Sequence, residues 1–291
     1  MRPLSFSTGI TPARSRTQRG ARCEGWPVAC AWEAVHMEGG RRPTAGEVAR
    51  QVRGAAFEDL DELVERYSED DRRPVQQAVA SARRRLERER AERERVIAMY
   101  ELQRELGGEG LVVGVDEVGR GSIAGPLTVG AVVLPPEPVV WGLNDSKQLT
   151  PTRREEVAAR IAEVAVAIGI AHVPPESIDA LGMRVALRVA MSQAIEDTGV
   201  EPDCVLIDGN PVHVHPKEKT LVKGDARVAC IAAASIVAKV TRDAIMVGLD
   251  SEYPGYHLAE CKGYGSRAHI EAIRELGLTP VHRVTFCGNF L

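Results

Sequence analysis

Two adjacent carboxylates follow a run of small and β-branched residues in the middle of the chain. The run Val112–Val115 predicts a buried strand, which continues into Asp116, Glu117 and the turn Gly119-Arg120-Gly121. Because neighbouring side chains of a strand point to opposite faces, Asp116 can face a site that Glu117 does not. Acids beside glycines, which let a backbone approach a ligand closely, indicate a hard metal ion and a phosphate. Taken alone, these residues are equally typical of a strand that ends in a solvated turn.

Two further acids lie at comparable places. Asp208 ends a second apolar run, and Asp243 lies on residues 226–249, whose small apolar residues predict a helix in a crowded interior. Since ligands bind outside the carboxyl ends of strands in α/β sheets, we expect Asp116 and Asp208 to emerge together. Asp243 alone is typical of a helix ion pair, because Lys239 precedes it by one turn. The four acids together are better explained as a cage for hard cations, which favours magnesium or manganese over zinc.

The composition is that of an ordinary folded protein. The 291 residues carry a formal net charge of -4, with 44% hydrophobic and 27% charged residues, so any nucleic-acid surface must be local. The six cysteines have no metal-ligand spacing, and we expect reduced thiols in a cytoplasmic protein. We expect no membrane span and no secretory signal, because no long apolar run occurs.

The chain divides into three segments. Residues 1–40 lack periodicity and are rich in Arg, Gly and Pro, which predicts a disordered tail. Met37 opens the first stretch with structural character, so we hypothesise that translation starts there and that residues 1–36 are not translated. Residues 41–108 have helical periodicity and predict a helical N-terminal extension. Residues 109–291 predict the catalytic domain with its C-terminal helices.

The extension contains alternating arginine and glutamate over residues 83–95. Such a run is typical of a solvated helix with i,i+4 ion pairs. Because arginine outnumbers glutamate, a basic arm that grips nucleic acid is a second interpretation, although the interleaved acids would cancel most of its field.

From residue 111 onward, predicted strands and helices alternate, which indicates a mixed sheet covered by helices. Beyond the first strand, the apolar runs predict strands over 127–134, 164–173 and 204–208, and helices from Pro151 and over 176–198, 226–249 and 266–276.

Eight short motifs follow one another in unbroken order between about residues 110 and 287. They are Gly114–Gly121, Ala124–Pro126, Asn144–Lys147, Leu206–Asn210, Val222–Ala226, Ala233–Asp243, Lys262–Ser266 and Thr279–Arg283. In this order they resemble the ribonuclease HII family. Residues 45–106 are loosely similar to the helical extension of some bacterial members.

The resemblance implies an α/β, ribonuclease H-like fold with a mixed central sheet flanked by helices. It implies hydrolysis of the RNA strand of RNA–DNA hybrids and incision on the 5′ side of single ribonucleotides in duplex DNA, leaving a 3′-hydroxyl and a 5′-phosphate. The catalytic and metal-binding acids would be Asp116, Glu117, Asp208 and Asp243, holding two Mn²⁺ or Mg²⁺ ions. We expect Asp243 to be the least tightly bound to metal.

The resemblance also assigns substrate contacts. The 2′-hydroxyl would be read by Gly119, Arg120 and Gly121, and backbone phosphates would be held by Ser146, Lys147 and Lys223. Tyr264 would pack on the sugar at a ribose-to-deoxyribose junction. Taken alone, a tyrosine between glycines is more often a loop anchor, and a lone lysine is usually solvated.

Four residues near these contacts depart from the family pattern. Ser122-Ile123 replaces a common Pro-Leu, His257 replaces a common Gly, and Cys261 stands where His or Asn is common. The last two lie in the loop before Tyr264, so they bear on the shape of that loop and on its grip on the substrate.

We therefore expect a monomeric, metal-dependent endoribonuclease whose partners are RNA–DNA hybrids and ribonucleotide-containing duplex DNA. Two alternatives remain open. One is a nuclease of the same fold that acts on DNA alone. The other is a non-catalytic hybrid-binding module whose N-terminal helices recruit a partner.

Overall fold

Three helices form the first part of the computed structural model, which describes residues 43–289. They are α1 (Ala45–Gly54), α2 (Phe57–Arg66) and α3 (Arg73–Gly107). The apolar sides of the three helices pack into a small core of their own. The predictions for residues 1–40 and for a start at Met37 lie outside the described residues.

The arginine- and glutamate-rich run lies on α3, and several of its arginines contact α2. Arg90 pairs with Asp61 at 2.5 Å and Arg93 pairs with Glu58 at 3.2 Å. The Arg93 guanidinium also lies 3.9 Å from the centroid of the Phe57 ring. These arginines therefore connect α3 to α2, rather than forming the i,i+4 pairs within one helix that the first interpretation describes.

A five-stranded sheet follows, in the order β3-β2-β1-β4-β5. The strands are β1 (Val112–Val118), β2 (Leu127–Val133), β3 (Ala167–Val173), β4 (Cys204–Asp208) and β5 (Glu218–Leu221). β2 is antiparallel to both β1 and β3, whereas β1, β4 and β5 are parallel. The expected mixed sheet is therefore confirmed.

The remaining elements cover the two faces of the sheet. They are α4 (Pro151–Val164), α5 (Pro175–Leu181), α6 (Met183–Asp197), a 3₁₀ turn (Gly224–Ala226), α7 (Ala229–Glu252), α8 (Leu258–Cys261), α9 (Arg267–Leu276) and α10 (Val284–Cys287). The single helix predicted over 176–198 is wrong. Gly182 has a φ of 77° between α5 and α6, and this left-handed conformation interrupts the helix.

The helices α6 and α7 lie on opposite faces of the sheet. Val113 and Val115 pack with α6, whereas Val112 and the neighbouring β4 residues pack with the start of α7. Gly114 lies on the α7 face, where a β-carbon would be 2.5 Å from the backbone nitrogen of Ile231. The absence of a side chain at this position lets the backbone of α7 rest directly on β1.

The end of α3 connects the N-terminal helices to this central packing. The Gln103 carboxamide oxygen accepts the buried backbone N–H of Cys230, in the first turn of α7, at 2.8 Å. The Tyr100 hydroxyl accepts the N–H of Val140 at 3.0 Å, and Lys219 donates to the carbonyl of Leu106 at 2.6 Å. A helix long and apolar enough to cross a bilayer does not occur between residues 43 and 289.

Candidate active site

Asp116 and Asp208 lie side by side at the carboxyl ends of two parallel strands. The β1–β4 register pairs Val115 with Ile207, one residue before each acid. By the alternation of side chains, Asp116 shares its face with Gly114 and Asp208 shares its face with Leu206, and this is the face that α7 covers. The expectation that these two acids emerge together agrees with the geometry.

Asp116 is the most constrained of the acids. Its side chain is buried, accepts a hydrogen bond from the Ser235 hydroxyl on α7, and accepts the backbone N–H of Glu117 at 2.7 Å. Burial raises the pKa of Asp116 well above its usual range, and the charges of Glu117 and Asp208 raise it further. The environment therefore opposes the ionised form unless a cation is near.

Asp208 is held from the other side by the segment after β5. Its Oδ1 accepts the backbone N–H of Gly224 at 2.6 Å. Lys223, just before, has a φ of 58° and an exposed side chain. Burial raises the pKa of the next acid, Asp225, and the negative charges of Asp208 and Asp145 add to this effect. The acidic region thus extends to two residues that sequence reasoning did not select, although both lie within the motifs.

Glu117 points to the opposite face of β1 and is mostly buried. Its pKa is raised chiefly by burial, an effect that the Arg120 guanidinium opposes and the charge of Asp208 reinforces. The Arg120 Nη1 lies 3.5 Å from Glu117 Oε1. Glu117 is therefore within the electrostatic reach of Asp208 and of the Gly-Arg-Gly turn.

Asp243 is the acid that pairs with two cationic side chains of the protein. It lies on α7, eight residues beyond Ser235, and pairs with Lys239 at 2.6 Å and with Arg154 at 3.6 Å. The helix ion pair that the sequence allowed as an alternative is thus present. Arg154 also donates to the carbonyl of Ser146 at 2.8 Å, so Asp243 is connected to the Asn144–Lys147 motif.

The donor chemistry of the acids fits hard divalent cations. Within residues 43–289, no three His, Cys, Asp or Glu side chains are grouped closely enough to hold one ion. Magnesium and similar ions, however, are commonly held by one or two carboxylates together with water and substrate phosphate. The mutual repulsion of Asp116, Glu117 and Asp208 is the cost that a bound cation would remove.

The Asn144–Lys147 motif contacts α7 at Ser235, the residue that also hydrogen-bonds to Asp116. The hydroxyl of Ser146 is buried and lies 3.0 Å from the hydroxyl of Ser235, whereas the side chain of Lys147 is exposed. Ser146 therefore faces the interior, and Lys147 presents its charge to solvent at the same edge of the site.

Two fully buried arginines hold the Gly-Arg-Gly loop, and sequence reasoning gave neither a role. Arg242 donates to the carbonyls of Pro126 and Ala124 and to the hydroxyl of Ser122, at 2.8–3.1 Å. Arg283 donates to the carbonyls of Gly125 and Arg120 at 2.9–3.2 Å. The signal in the sequence is weak: one arginine interrupts a small apolar helix, and the other follows His282.

The loop that carries Tyr264 contacts the same region. The carbonyl of Gly263 accepts the N–H groups of Ile123 and Ala124 at 2.9 and 3.1 Å. The Tyr264 ring is 40% exposed, and the Arg242 guanidinium lies 5.7 Å from its centroid. Tyr264 is thus an exposed aromatic beside the Gly-Arg-Gly loop, which has Gly119 at a φ of 84°.

A mixed sheet whose adjacent parallel strands end in acids, covered by helices on both faces, defines the ribonuclease H-like class of nucleases. A family model described as Ribonuclease HII matches residues 113–289, and a model described as Ribonuclease HII N-terminal domain matches residues 44–107. The chain belongs to the ribonuclease HII family.

Individual relatives agree with this membership. A Ribonuclease HII of Listeria monocytogenes is 37% identical over 82% of this chain and 92% of its own, and one of Enterococcus faecalis is 42% identical over 78% and 89%. The crystal structure of ribonuclease H2 from Pyrococcus horikoshii superimposes with a TM-score of 0.53 at 27% identity, over 62% of this chain and 96% of that one. The protein is a metal-dependent endoribonuclease that acts on RNA–DNA hybrids. The expected endoribonuclease is therefore confirmed, in preference to a nuclease acting on DNA alone or a non-catalytic binding module.

Proposed function

We propose that the protein also incises duplex DNA on the 5′ side of a single ribonucleotide, with Mn²⁺ or Mg²⁺ as its cofactor. The acids that carry this chemistry are Asp116, Glu117, Asp208 and Asp243. The observation that supports the proposal best is the pairing of Asp116 and Asp208 at neighbouring strand ends on the face covered by α7. Two strand-end carboxylates can face one scissile phosphate from a rigid support.

The chain's own residues prepare the acidic set for this reaction. Ser235 and a backbone N–H orient the Asp116 carboxylate, and the N–H of Gly224 orients Asp208. When bound, two divalent ions would supply an activated water and stabilise the leaving oxygen. Asp243 pairs with Lys239 and Arg154, so protein cations compete with a metal ion for its carboxylate. Asp243 is therefore the acid we propose to bind metal least tightly.

Substrate recognition is assigned to residues around this set. Gly119, Arg120 and Gly121 read the 2′-hydroxyl, because the glycines allow backbone groups to approach the sugar. The exposed ring of Tyr264 packs on the sugar at a ribose-to-deoxyribose junction. Backbone phosphates are assigned to Ser146, Lys147 and Lys223; the two lysines are exposed, and the hydroxyl of Ser146 also contacts that of Ser235.

The organisation of the chain completes the proposal. Residues 41–108 are assigned to the extension and residues 109–291 to the catalytic domain; among residues 43–289, the helices of the extension have a core of their own and are attached through the end of α3. The protein acts as a monomer in the cytoplasm, consistent with the free thiols of the four cysteines in residues 43–289. Sedimentation of the purified protein would test the monomer.

The acid assignment is tested with Asp208→Asn. We expect cleavage of a duplex that contains one ribonucleotide to fall about 100-fold or more with Mg²⁺ or Mn²⁺, because the substitution removes a metal-binding charge. Binding of the same duplex in EDTA should survive, and the wild-type cut should map to the 5′ side of the ribonucleotide.

The matched control is Asp59→Asn, which makes the same chemical change at an exposed position on α2 and should leave the rate unchanged. Near-normal cleavage by Asp208→Asn would refute the assignment of the acids. Equal cleavage of an all-DNA duplex would refute the reading of the 2′-hydroxyl.

A further inference from the structure

A chain of hydrogen bonds through two buried histidines ends at Tyr264. His269 and His282 have 0% and 2% of their surface exposed, and their Nε2 atoms lie 3.1 Å apart. His269 Nδ1 lies 2.9 Å from the carbonyl oxygen of Tyr264, and His282 Nδ1 lies 3.0 Å from the backbone nitrogen of Thr279. Neither histidine has a part in the mechanism above.

The partners at the two ends of the chain determine where each proton lies. A carbonyl oxygen only accepts, so His269 Nδ1 carries a hydrogen and, in the neutral ring, its Nε2 accepts. The backbone N–H of Thr279 only donates, so His282 Nδ1 accepts and its Nε2 carries the hydrogen. Both ends thus require one arrangement, in which His282 Nε2–H donates to His269 Nε2 and His269 Nδ1–H donates to Tyr264.

The residues packed around the two histidines shield them from water and favour their neutral forms. The ring of Tyr256 lies 4.9 Å from that of His282, and the Cys261 sulfur lies 3.5 Å from His269 Nδ1. Protonation of His269 would place two N–H donors face to face at the Nε2–Nε2 contact, and protonation of His282 would do the same between its Nδ1 and the backbone N–H of Thr279. The hydrogen-bond chain therefore depends on both histidines being neutral.

The hydrogen-bond chain of the histidines holds the backbone at Tyr264, and the segment that follows the Gly-Arg-Gly turn holds it at the preceding residue. The carbonyl of Tyr264 accepts from His269, whereas the carbonyl of the preceding Gly263 accepts from Ile123 and Ala124. The segment also contains Lys262 at a φ of 52°, a conformation that a non-glycine residue keeps only when its surroundings hold it. Support from both sides therefore determines where the exposed Tyr264 ring stands.

We propose that His269 and His282 are positioning residues that fix Tyr264 for recognition of a ribose-to-deoxyribose junction. The inference rests on the proposed role of Tyr264. Because the hydrogen-bond chain through the two side chains ends at the carbonyl of Tyr264, its loss affects junction substrates more than continuous RNA–DNA hybrids, which have no deoxyribose at that position.

The test compares His282→Asn with His282→Gln in the full-length protein. Glutamine places an amide N–H where Nε2–H stands and keeps the bond to His269, whereas asparagine is too short to reach it. The measured quantity is kcat/KM on a duplex with one ribonucleotide divided by kcat/KM on a hybrid of equal length. We expect His282→Asn to lower this ratio about fivefold to tenfold, the scale of one buried hydrogen bond, and His282→Gln to keep it within about twofold.

The control is Tyr264→Ala, alone and combined with His282→Asn. If Tyr264→Ala lowers the ratio and His282→Asn lowers it no further in that background, the two residues act through one path. If Tyr264→Ala leaves the ratio unchanged, the proposed role of Tyr264 fails. If Tyr264→Ala lowers the ratio but His282→Asn reduces both substrates equally, the histidine pair is only structural and the inference is overturned.

Discussion

The substitution Gly114→Ala tests the contact on which the candidate site depends, the seating of α7 on β1. A β-carbon at position 114 would lie 2.5 Å from the nitrogen of Ile231 and closer still to the carbonyl group of Cys230, whereas ordinary contacts begin at 3.4 Å. These neighbours are backbone atoms and cannot rotate away, so α7 must move by about 1 Å. Overpacking of this kind costs about 3 kcal/mol.

The same displacement should affect catalysis beyond its effect on stability. The helix α7 carries Ser235, which hydrogen-bonds to Asp116, and also carries Asp243. A misplacement of about 1 Å in a catalytic arrangement can cost about 100-fold in rate. We therefore expect Gly114→Ala to unfold at lower urea concentration and, under conditions where it remains folded, to cleave a hybrid about 100-fold more slowly.

Gly248→Ala supplies the matched control. Gly248 lies on the exposed side of the same helix, where an added β-carbon would meet no neighbouring atom within 4 Å. Alanine should add about 1 kcal/mol of stability there through helix propensity and leave the cleavage rate unchanged. If Gly114→Ala had the stability and rate of the wild type in circular dichroism and cleavage assays, α7 would not rest on β1 as described.

Two further substitutions test the buried polar contacts. Gln103→Leu should lower the free energy of unfolding in urea by about 1–3 kcal/mol, because it leaves the buried N–H of Cys230 without its acceptor. The control Gln77→Leu, at an exposed position of the same helix, should change this free energy little. Equal effects of the two substitutions would contradict the Gln103–Cys230 contact. Burial lowers the pKa of His282 from 6.5 to about 4, so its contribution to stability is complete above pH 6.5 and is lost as the pH falls towards 4. Between about pH 7.5 and pH 5 the loss is about 2 kcal/mol, and urea unfolding of His282→Gln should lack this component; an identical pH slope in both proteins would contradict it.

The central strands could be predicted because their residues follow a simple apolar pattern. β1, β2 and β4 are continuous runs of small and branched residues, as expected for strands covered on both faces. β5 has the sequence Glu-Lys-Thr-Leu and was missed, because an edge strand with two charges in four residues has no such pattern. The break at Gly182 was missed because glycine within an apolar helical pattern is compatible with an intact helix.

The site was predictable only where a residue's type matched its environment. Asp116 and Asp208 could be paired because each ends an apolar run that predicts a strand, and ligands bind outside the carboxyl ends of strands in an α/β sheet. Arg242, Arg283, His269 and His282 could not be placed, because charged and titratable types normally indicate exposure. The burial of the two arginines depends on carbonyl groups that are distant in the sequence and become neighbours only in the folded chain.

The buried Arg242 connects the loop proposed to bind the sugar with the acids, because it lies on the helix that also contacts Asp116. Arg242 precedes Asp243 on α7 and holds the loop of residues 119–126 through carbonyl oxygens and the Ser122 hydroxyl. The same helix contacts Asp116 through Ser235. Burying a guanidinium among carbonyl groups is costly unless all its donors are satisfied, so the loop cannot shift without losing several hydrogen bonds together. The loop that we propose to read the sugar and the acids that we propose to face the phosphate are therefore both held by α7, so the fold sets the distance between them.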